Sequence, residues 1–185
     1  MRARADSAAA TRERILAAGT ALAFDDLVLE PTLQQVADAA GTSLRTVLRH
    51  FGSRAALLEE IERAARAVIL AERTAAAPGD ESALAALLRH YETRGDFVLA
   101  VLARSGADPR AAAIAELGRQ EHRRWVVRRF GDRIPRAGQD RESVIDLLVV
   151  ATDLFTWRLL RRDLGLAPET VADRMRTLVR AVLPH

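Results

Sequence analysis

Arg45, Arg49, His50 and Arg54 fall in AGTSLRTVLRHFGSR, residues 40–54, a stretch without an acid. A guanidinium presents a planar fork of donors that suits phosphate oxygens and the guanine edge, so the chemistry on offer is nucleic-acid recognition rather than bond making. Arg45 and Arg49 are four residues apart, which on a helix places them on one face. The opposite side of the segment carries Leu44, Val47, Leu48 and Phe51, the apolar residues a short helix needs to dock on its own domain.

Elsewhere the residue types argue against catalysis. The chain has no cysteines, which removes disulfides, thiolate metal ligands and Cys nucleophiles. His90 and His122 stand at no metal-ligand spacing, Ser105 has no base nearby in sequence, and neither HExxH nor a phosphate loop occurs. Glu92, Asp96, Glu116 and Glu121 offer carboxylates, but isolated acids on helices are usually solvated. The expectation is a protein that is not an enzyme and uses neither metal nor cofactor.

The elements that must position the arginines are helical. Of the 185 residues, 49% are hydrophobic, chiefly Ala, Leu and Val, with only 10 Gly and 6 Pro; this mixture favours helix and is poor in turn chemistry. Residues 11–24 place Ile15, Leu16, Ala18, Leu22 and Phe24 largely on one helical face. Thr32 is positioned to cap a second helix, TLQQVADAA, which Gly41 stops. Ser43 caps a third helix over 43–51, and Ser53 a longer one over 53–77. Beyond Pro78, Gly79 and Asp80, the clearest boundary in the chain, helices are expected over 81–104, 109–131, 140–164 and 168–182. There is no strand alternation and no repeat of solenoid length, so the fold class is all-α.

Two short helices joined by Ala-Gly-Thr, each with its own cap, make a helix-turn-helix over 32–51. In that motif the second helix enters the DNA major groove and the first lies across the backbone. Short helix pairs also occur in bundles without such a role, so the pair alone leaves a solvated basic helix as the alternative. The surrounding stretch is more specific. From Arg12 to Ile61 the chain resembles the N-terminal domain of the TetR family of transcriptional repressors. The matching residues are Arg12, Ile15, Leu16, Ala18 and Phe24, then Thr32, Val36, Ala37, Ala40, Gly41 and Ser43, then Thr46, Val47, His50, Phe51, Ser53, Leu57 and Leu58.

The resemblance implies DNA contacts from Thr32 and Ser43 to phosphates, from Arg45, Thr46 and Arg49 to base edges, and from His50 to the backbone, with Leu44 and Leu48 on the same reading segment. Three positions depart from the family pattern. Arg45 stands where Gly is usual, Leu48 where Tyr is usual, and Arg54 where Lys usually opens the fourth helix. Leu48 then either turns inward or meets a thymine methyl, Arg45 adds a donor fork able to reach guanine, and Arg54 can still hold phosphate. Arg2 and Arg4 offer further minor-groove or phosphate contacts. The domains expected are a flexible arm over 1–10, a DNA-binding domain over 11–55, a connecting helix over 56–77, and a ligand-binding and dimerisation domain over 78–185.

Aromatic residues make up only 4% of the chain, so their placement in the second half is informative. His90, Tyr91, Arg94, Glu121, Trp125 and Phe155 are the candidates for an inducer pocket, with Glu92 as a further polar partner; ordinary core packing is the alternative for each. Gly95, in mid-helix, implies either close helix packing or a bend beside a cavity. The run 122–129 is strongly basic and reads as a solvated outer face, an anionic-inducer site or an acidic-partner site, with Trp125 and Arg129 spaced to stack. Val144, Leu147, Leu148, Ala151, Leu154 and Phe155 on one helix, with Val171, Met175, Leu178, Val179 and Val182 on the next, form stripes wide enough for a homodimer interface.

The net charge is +3 and every basic residue is Arg, which reflects either phosphate chemistry or GC-rich coding. Residues 1–77 balance ten basic against ten acidic side chains, so any DNA footprint is local. No apolar run approaches the ~20 residues that span a bilayer, and the first residues lack an apolar signal core, so a cytoplasmic protein without a membrane partner is expected. The function expected is a ligand-responsive repressor that binds a palindromic DNA operator as a dimer and is released by a small-molecule inducer. The alternative is a ligand-binding or scaffolding helical dimer whose DNA role has lapsed.

Overall fold

Ala-rich segments that begin at Ser, Thr or Asp caps fold here as helices. The computed structural model describes residues 2–74, 80–136 and 139–183, and among them every regular element is helical. The chain divides into two units, Met1–Ala71 and Glu72–His185. Pro78, Gly79 and His185 lie outside the described residues, as do the side chains of Arg2 and Arg4.

In the first unit α1 spans Arg2–Phe24, α2 Leu33–Ala39, α3 Leu44–Phe51 and α4 Arg54–Thr74. The flexible arm expected over 1–10 is instead the first turns of α1. Ala8, Ala9 and Ala10 with no Gly or Pro before them favour helix, and the Thr11 hydroxyl donates back to Ser7 O at 2.9 Å. Thr32 caps α2 reciprocally: its Oγ1 accepts from Gln35 N at 3.1 Å while Gln35 Oε1 accepts from Thr32 N at 2.8 Å. The turn into α3 runs through Gly41 at φ +59°, a left-handed conformation that costs glycine little. Thr42 N then donates to Ala37 O at 2.9 Å, closing the end of α2. Ser43 Oγ starts α3 by accepting from Thr46 N at 3.2 Å. Ile15, Val36, Ala37, Ala40, Val47, Phe51, Leu57 and Ile61 form the core of this unit.

Two arginines of α1 clamp that core from outside. Arg12 lies over the Phe51 ring, 5.0 Å from its centroid, and pairs with Glu60 at 2.9 Å. Arg14 Nε donates to Ala40 O at 3.0 Å. Together they tie α1 to the far ends of α2 and α3.

In the second unit α5 spans Asp80–Arg104, α6 Pro109–Phe130, α7 Gln139–Ala151, α8 Leu154–Arg158 and α9 Pro168–Val182, with a 3-10 turn at Gly131–Arg133 and a π-helical stretch at Leu159–Asp163. Helix α5 packs against α6, α8 and α9, and α7 packs on both α6 and α9. The single helix expected over 140–164 is broken at Thr152 and Asp153. Asp153 takes an extended backbone and its carboxylate accepts from Phe155 N at 2.8 Å, starting α8 afresh. Tyr91 Oη donates to Thr152 O at 2.9 Å, so this carbonyl at the break has a partner.

Gly95 is explained by close packing. A Cβ there would stand 2.7 Å from the Trp157 ring. The apolar stripes of α7 to α9 are largely consumed by the fold: Leu148, Ala151, Leu154, Val171, Met175 and Val179 are core residues, and Val144 and Val182 pack against them. The expectation that all eleven form a dimer face is therefore corrected. Leu147, Phe155 and Leu178 remain exposed, joined by Val150, Leu159 and Leu164.

Candidate functional site

Helix α3 presents the face the sequence suggests. Val47 and Phe51 are buried, while Leu44, Arg45 and Arg49 are exposed and Thr46, Leu48 and His50 are half-buried. Neither Arg45 nor Arg49 makes an ion pair or side-chain hydrogen bond with the described residues, so neither guanidinium is neutralised by any of them. Ser43 Oγ and Thr46 Oγ1 lie 3.0 Å apart at the helix start, beside backbone N–H groups that favour an anion. Leu48, half-buried, turns partly toward the core.

Three expected contacts are placed differently. Arg54 is taken up by the protein: Nη2 donates to Glu30 O at 3.0 Å and pairs with Glu30 Oε2 at 3.2 Å, and Nε donates to Pro31 O at 3.3 Å. It braces the chain entering α2 through two carbonyls and a carboxylate, while its side chain stays 43% exposed. The Thr32 hydroxyl lies 3.0 Å from Gln35 Oε1, to which it donates, so a phosphate bond from that proton requires an exchange of partners. His50 Nε2 is buried without a hydrogen-bond partner among the described residues, so that nitrogen is not the one offered to the backbone of DNA.

Residues 15–61, which hold α2, α3 and the flanking parts of α1 and α4, match the family model described as bacterial regulatory proteins, tetR family. This is a TetR-family helix-turn-helix domain. Residues 15–61 are thus the DNA-binding part of a transcriptional regulator of that family, whose members are non-enzymatic transcription factors. No curated protein matches the chain. Among the described residues of the regulator no helix is long and apolar enough to cross a membrane, and no group of three or more His, Asp or Glu is placed to hold a metal ion.

In the second unit the six pocket candidates do not all converge. Phe155 is exposed, because the break at Asp153 turns it away from the core. His90 and Arg94 serve Glu72 instead, with Nδ1 and Nε at 3.0 and 3.2 Å from its carboxylate. Burial holds the His90 pKa down against the Glu72 bond. Glu92 accepts from Trp157 Nε1 at 2.9 Å and from Arg161 Nε at 3.1 Å. Glu121 pairs with Arg124 at 2.8 Å, and Arg123 with Glu142 and Asp146 of α7 at 2.6 and 2.5 Å. Much of the basic run is thereby neutralised on the protein's own surface.

Tyr91 and Trp125 are linked through residues that the sequence offers no reason to join, Thr152 and His122. Arg73 Nη2 donates to His122 Nδ1 at 2.8 Å, and its guanidinium carbon lies 5.6 Å from the centroid of the Trp125 ring. His122 stacks on Trp125 at 5.7 Å with an interplanar angle of 12°. Trp125 does not stack with Arg129; Arg73 takes that place. Arg can only donate, so His122 Nδ1 is the acceptor and its proton sits on Nε2. Nε2 then donates to Thr152 Oγ1 at 3.1 Å, whose own proton goes to Leu148 O at 2.7 Å. Burial, followed by the Arg73 charge, pushes the His122 pKa down to about 3.

Proposed function

We propose that this regulator represses transcription as a homodimer on a palindromic operator and is released by a small molecule held in its second unit. The observation that carries the DNA side is the pair Arg45 and Arg49, exposed on one face of α3 with no acid of the described residues to engage them. A homodimer is supported by Leu147, Val150, Phe155, Leu159, Leu164 and Leu178, large apolar side chains exposed on α7 to α9. Such side chains are stabilised when a second copy covers them across a two-fold axis.

The two reading helices of a dimer enter successive major grooves when they stand about one DNA turn, ~34–36 Å, apart. A small molecule that prefers a conformation with another spacing lowers operator affinity, by no more than its own preference between the two states. Helix α4 runs without a break from Arg54 to Thr74 and is the covalent link through which such a change passes. Duplexes selected from a random library, titrated by fluorescence anisotropy between about 50 and 200 mM salt, test the DNA side. Tight, sequence-selective binding that weakens steeply with salt is expected. Binding that ignores both sequence and salt would leave a helical dimer without a DNA role. Light scattering at micromolar concentration is expected to give a dimer, and the double variant Leu147→Glu, Phe155→Glu a monomer.

A further inference from the structure

Arg73 is 8% exposed and Trp125 2%. Within this pair two donors are left over: Arg73 Nε and Trp125 Nε1 are both buried and have no hydrogen-bond partner among the described residues. No carboxylate of the described residues lies within ion-pairing distance of the Arg73 guanidinium. Glu121, whose charge reaches Arg73, is ion-paired with Arg124 at 2.8 Å. The groups that do touch Arg73 carry no negative charge. His122 is neutral and offers one lone pair, already used, and Trp125 offers a ring face.

A buried guanidinium without a counter-charge is a strongly unfavourable arrangement, and unpaired buried donors add to it. Among the described residues the surrounding bonds leave no internal rescue. His122 Nε2–H is directed to Thr152, the Thr152 hydroxyl to Leu148 O, and the Tyr91 hydroxyl to Thr152 O. Every one of these polar neighbours is committed, and what is missing among the described residues is an anionic acceptor. The stacked rings of His122 and Trp125 lie against Arg73, so the rest of the missing group is apolar or aromatic.

We propose that Arg73 and the Trp125 indole N–H hold the carboxylate of an organic acid, and that such acids are the effector class of this regulator. The assignment rests on the reading of the second unit as the effector-binding part. It separates Arg73, which binds the anion, from His122 and Thr152, which position Arg73.

The test titrates sodium benzoate and sodium hexanoate into the full chain at constant ionic strength, with benzamide and hexanamide as neutral counterparts and inorganic phosphate and chloride as bare anions. Calorimetry and the thermal midpoint are read together. The acids are expected to bind and raise Tm, while the amides and bare anions do neither. Arg73→Met is expected to weaken acid binding about 10- to 100-fold, the range for a hydrogen-bonded charge, while leaving Tm without acid at or above the wild-type value. A merely structural arginine would lower it. Trp125→Phe keeps an aromatic face and removes the donor, and about tenfold weaker binding is expected.

Failure of both acids to bind, equal binding by the amides, full replacement of the effect by phosphate or chloride, or equal acid affinity in Arg73→Met overturns the proposal. If Arg73→Met does not fold, unchanged affinity in Trp125→Phe overturns it instead. Operator affinity is measured separately. Acid bound through Arg73 with no change on DNA upholds the site and refutes release by this class. Release by a neutral compound acting alike on wild type and Arg73→Met upholds release and refutes this effector class.

Discussion

Arg45→Ala isolates the claim that α3 reads bases. Arg45 is exposed and makes no contact with the described residues that would hold the fold, and Ala is at least as good a helix former as Arg. The variant is therefore expected to unfold within a few tenths of a kcal/mol of wild type. Its effect on DNA is expected to be large. A bidentate arginine–guanine contact contributes about 1–3 kcal/mol of discrimination, and a dimer makes it twice, so about 2–6 kcal/mol is lost on the cognate operator. At 1.4 kcal/mol per tenfold, that is about 30-fold to 10⁴-fold. Random duplex should lose far less, because only its phosphate attraction is reduced. The assay is anisotropy against the selected operator and each single base change in it, at one salt concentration. Relaxed preference confined to one base pair per half-site, with the rest of the profile preserved, is the expected pattern. A variant whose preferences match wild type at every position would refute the assignment and leave Arg45 as a surface charge. Arg54→Ala provides the contrast, since removing its bonds to Glu30 and Pro31 should reduce stability before it alters base preference.

Leu147 and Leu148 make a paired test of the α7 surface. Leu148→Ala should cost about 2–5 kcal/mol of stability by urea unfolding, whereas Leu147→Ala should leave monomer stability nearly unchanged and weaken self-association in sedimentation. Gly95→Ala puts a methyl 2.7 Å from the Trp157 ring and should destabilise by about 1–3 kcal/mol in the same assay; an unchanged midpoint would show that the helices part freely. Acid stability should reveal His122. With its pKa at about 3 in the folded chain against the ordinary 6.5, only the unfolded state takes up the proton as pH falls between these values. Stability is then fully present above pH ~6.5 and declines toward pH ~3. His122→Gln should flatten that decline, and an identical pH profile would contradict the buried neutral imidazole.

The reading segment was legible because its determinants are local. Thr32 with Gln35, Ser43 with Thr46 and the left-handed Gly41 each act within four residues, and the two arginines share a face through helical periodicity alone. The same locality misled at 140–164. An unbroken apolar pattern suggested one helix, although Asp153 in ATDLF carried a cap signal that the flanking leucines overrode. Arg54 shows a different limit. Its position near a helix start suited phosphate, but its partners Glu30 and Pro31 lie 24 and 23 residues away, beyond the reach of local pattern.

The second unit divides along the same line. Periodicity marked the stripes of α7 and α9 as apolar, which fixed that they would be covered. Whether the cover is the unit's own core, as for Leu148 and Met175, or is left to another surface, as for Leu147 and Leu178, depends on how the helices rotate against one another. The Arg73 cluster is the furthest from local reach: Arg73 and His122 are 49 residues apart, and His122 and Thr152 30. Sequence by itself determined the helices, their caps and a basic face on α3, because those follow from interactions one turn long. Tertiary packing alone decided which apolar residues are spent and which charge is buried without its opposite, because burial is a property of what the chain brings together from a distance.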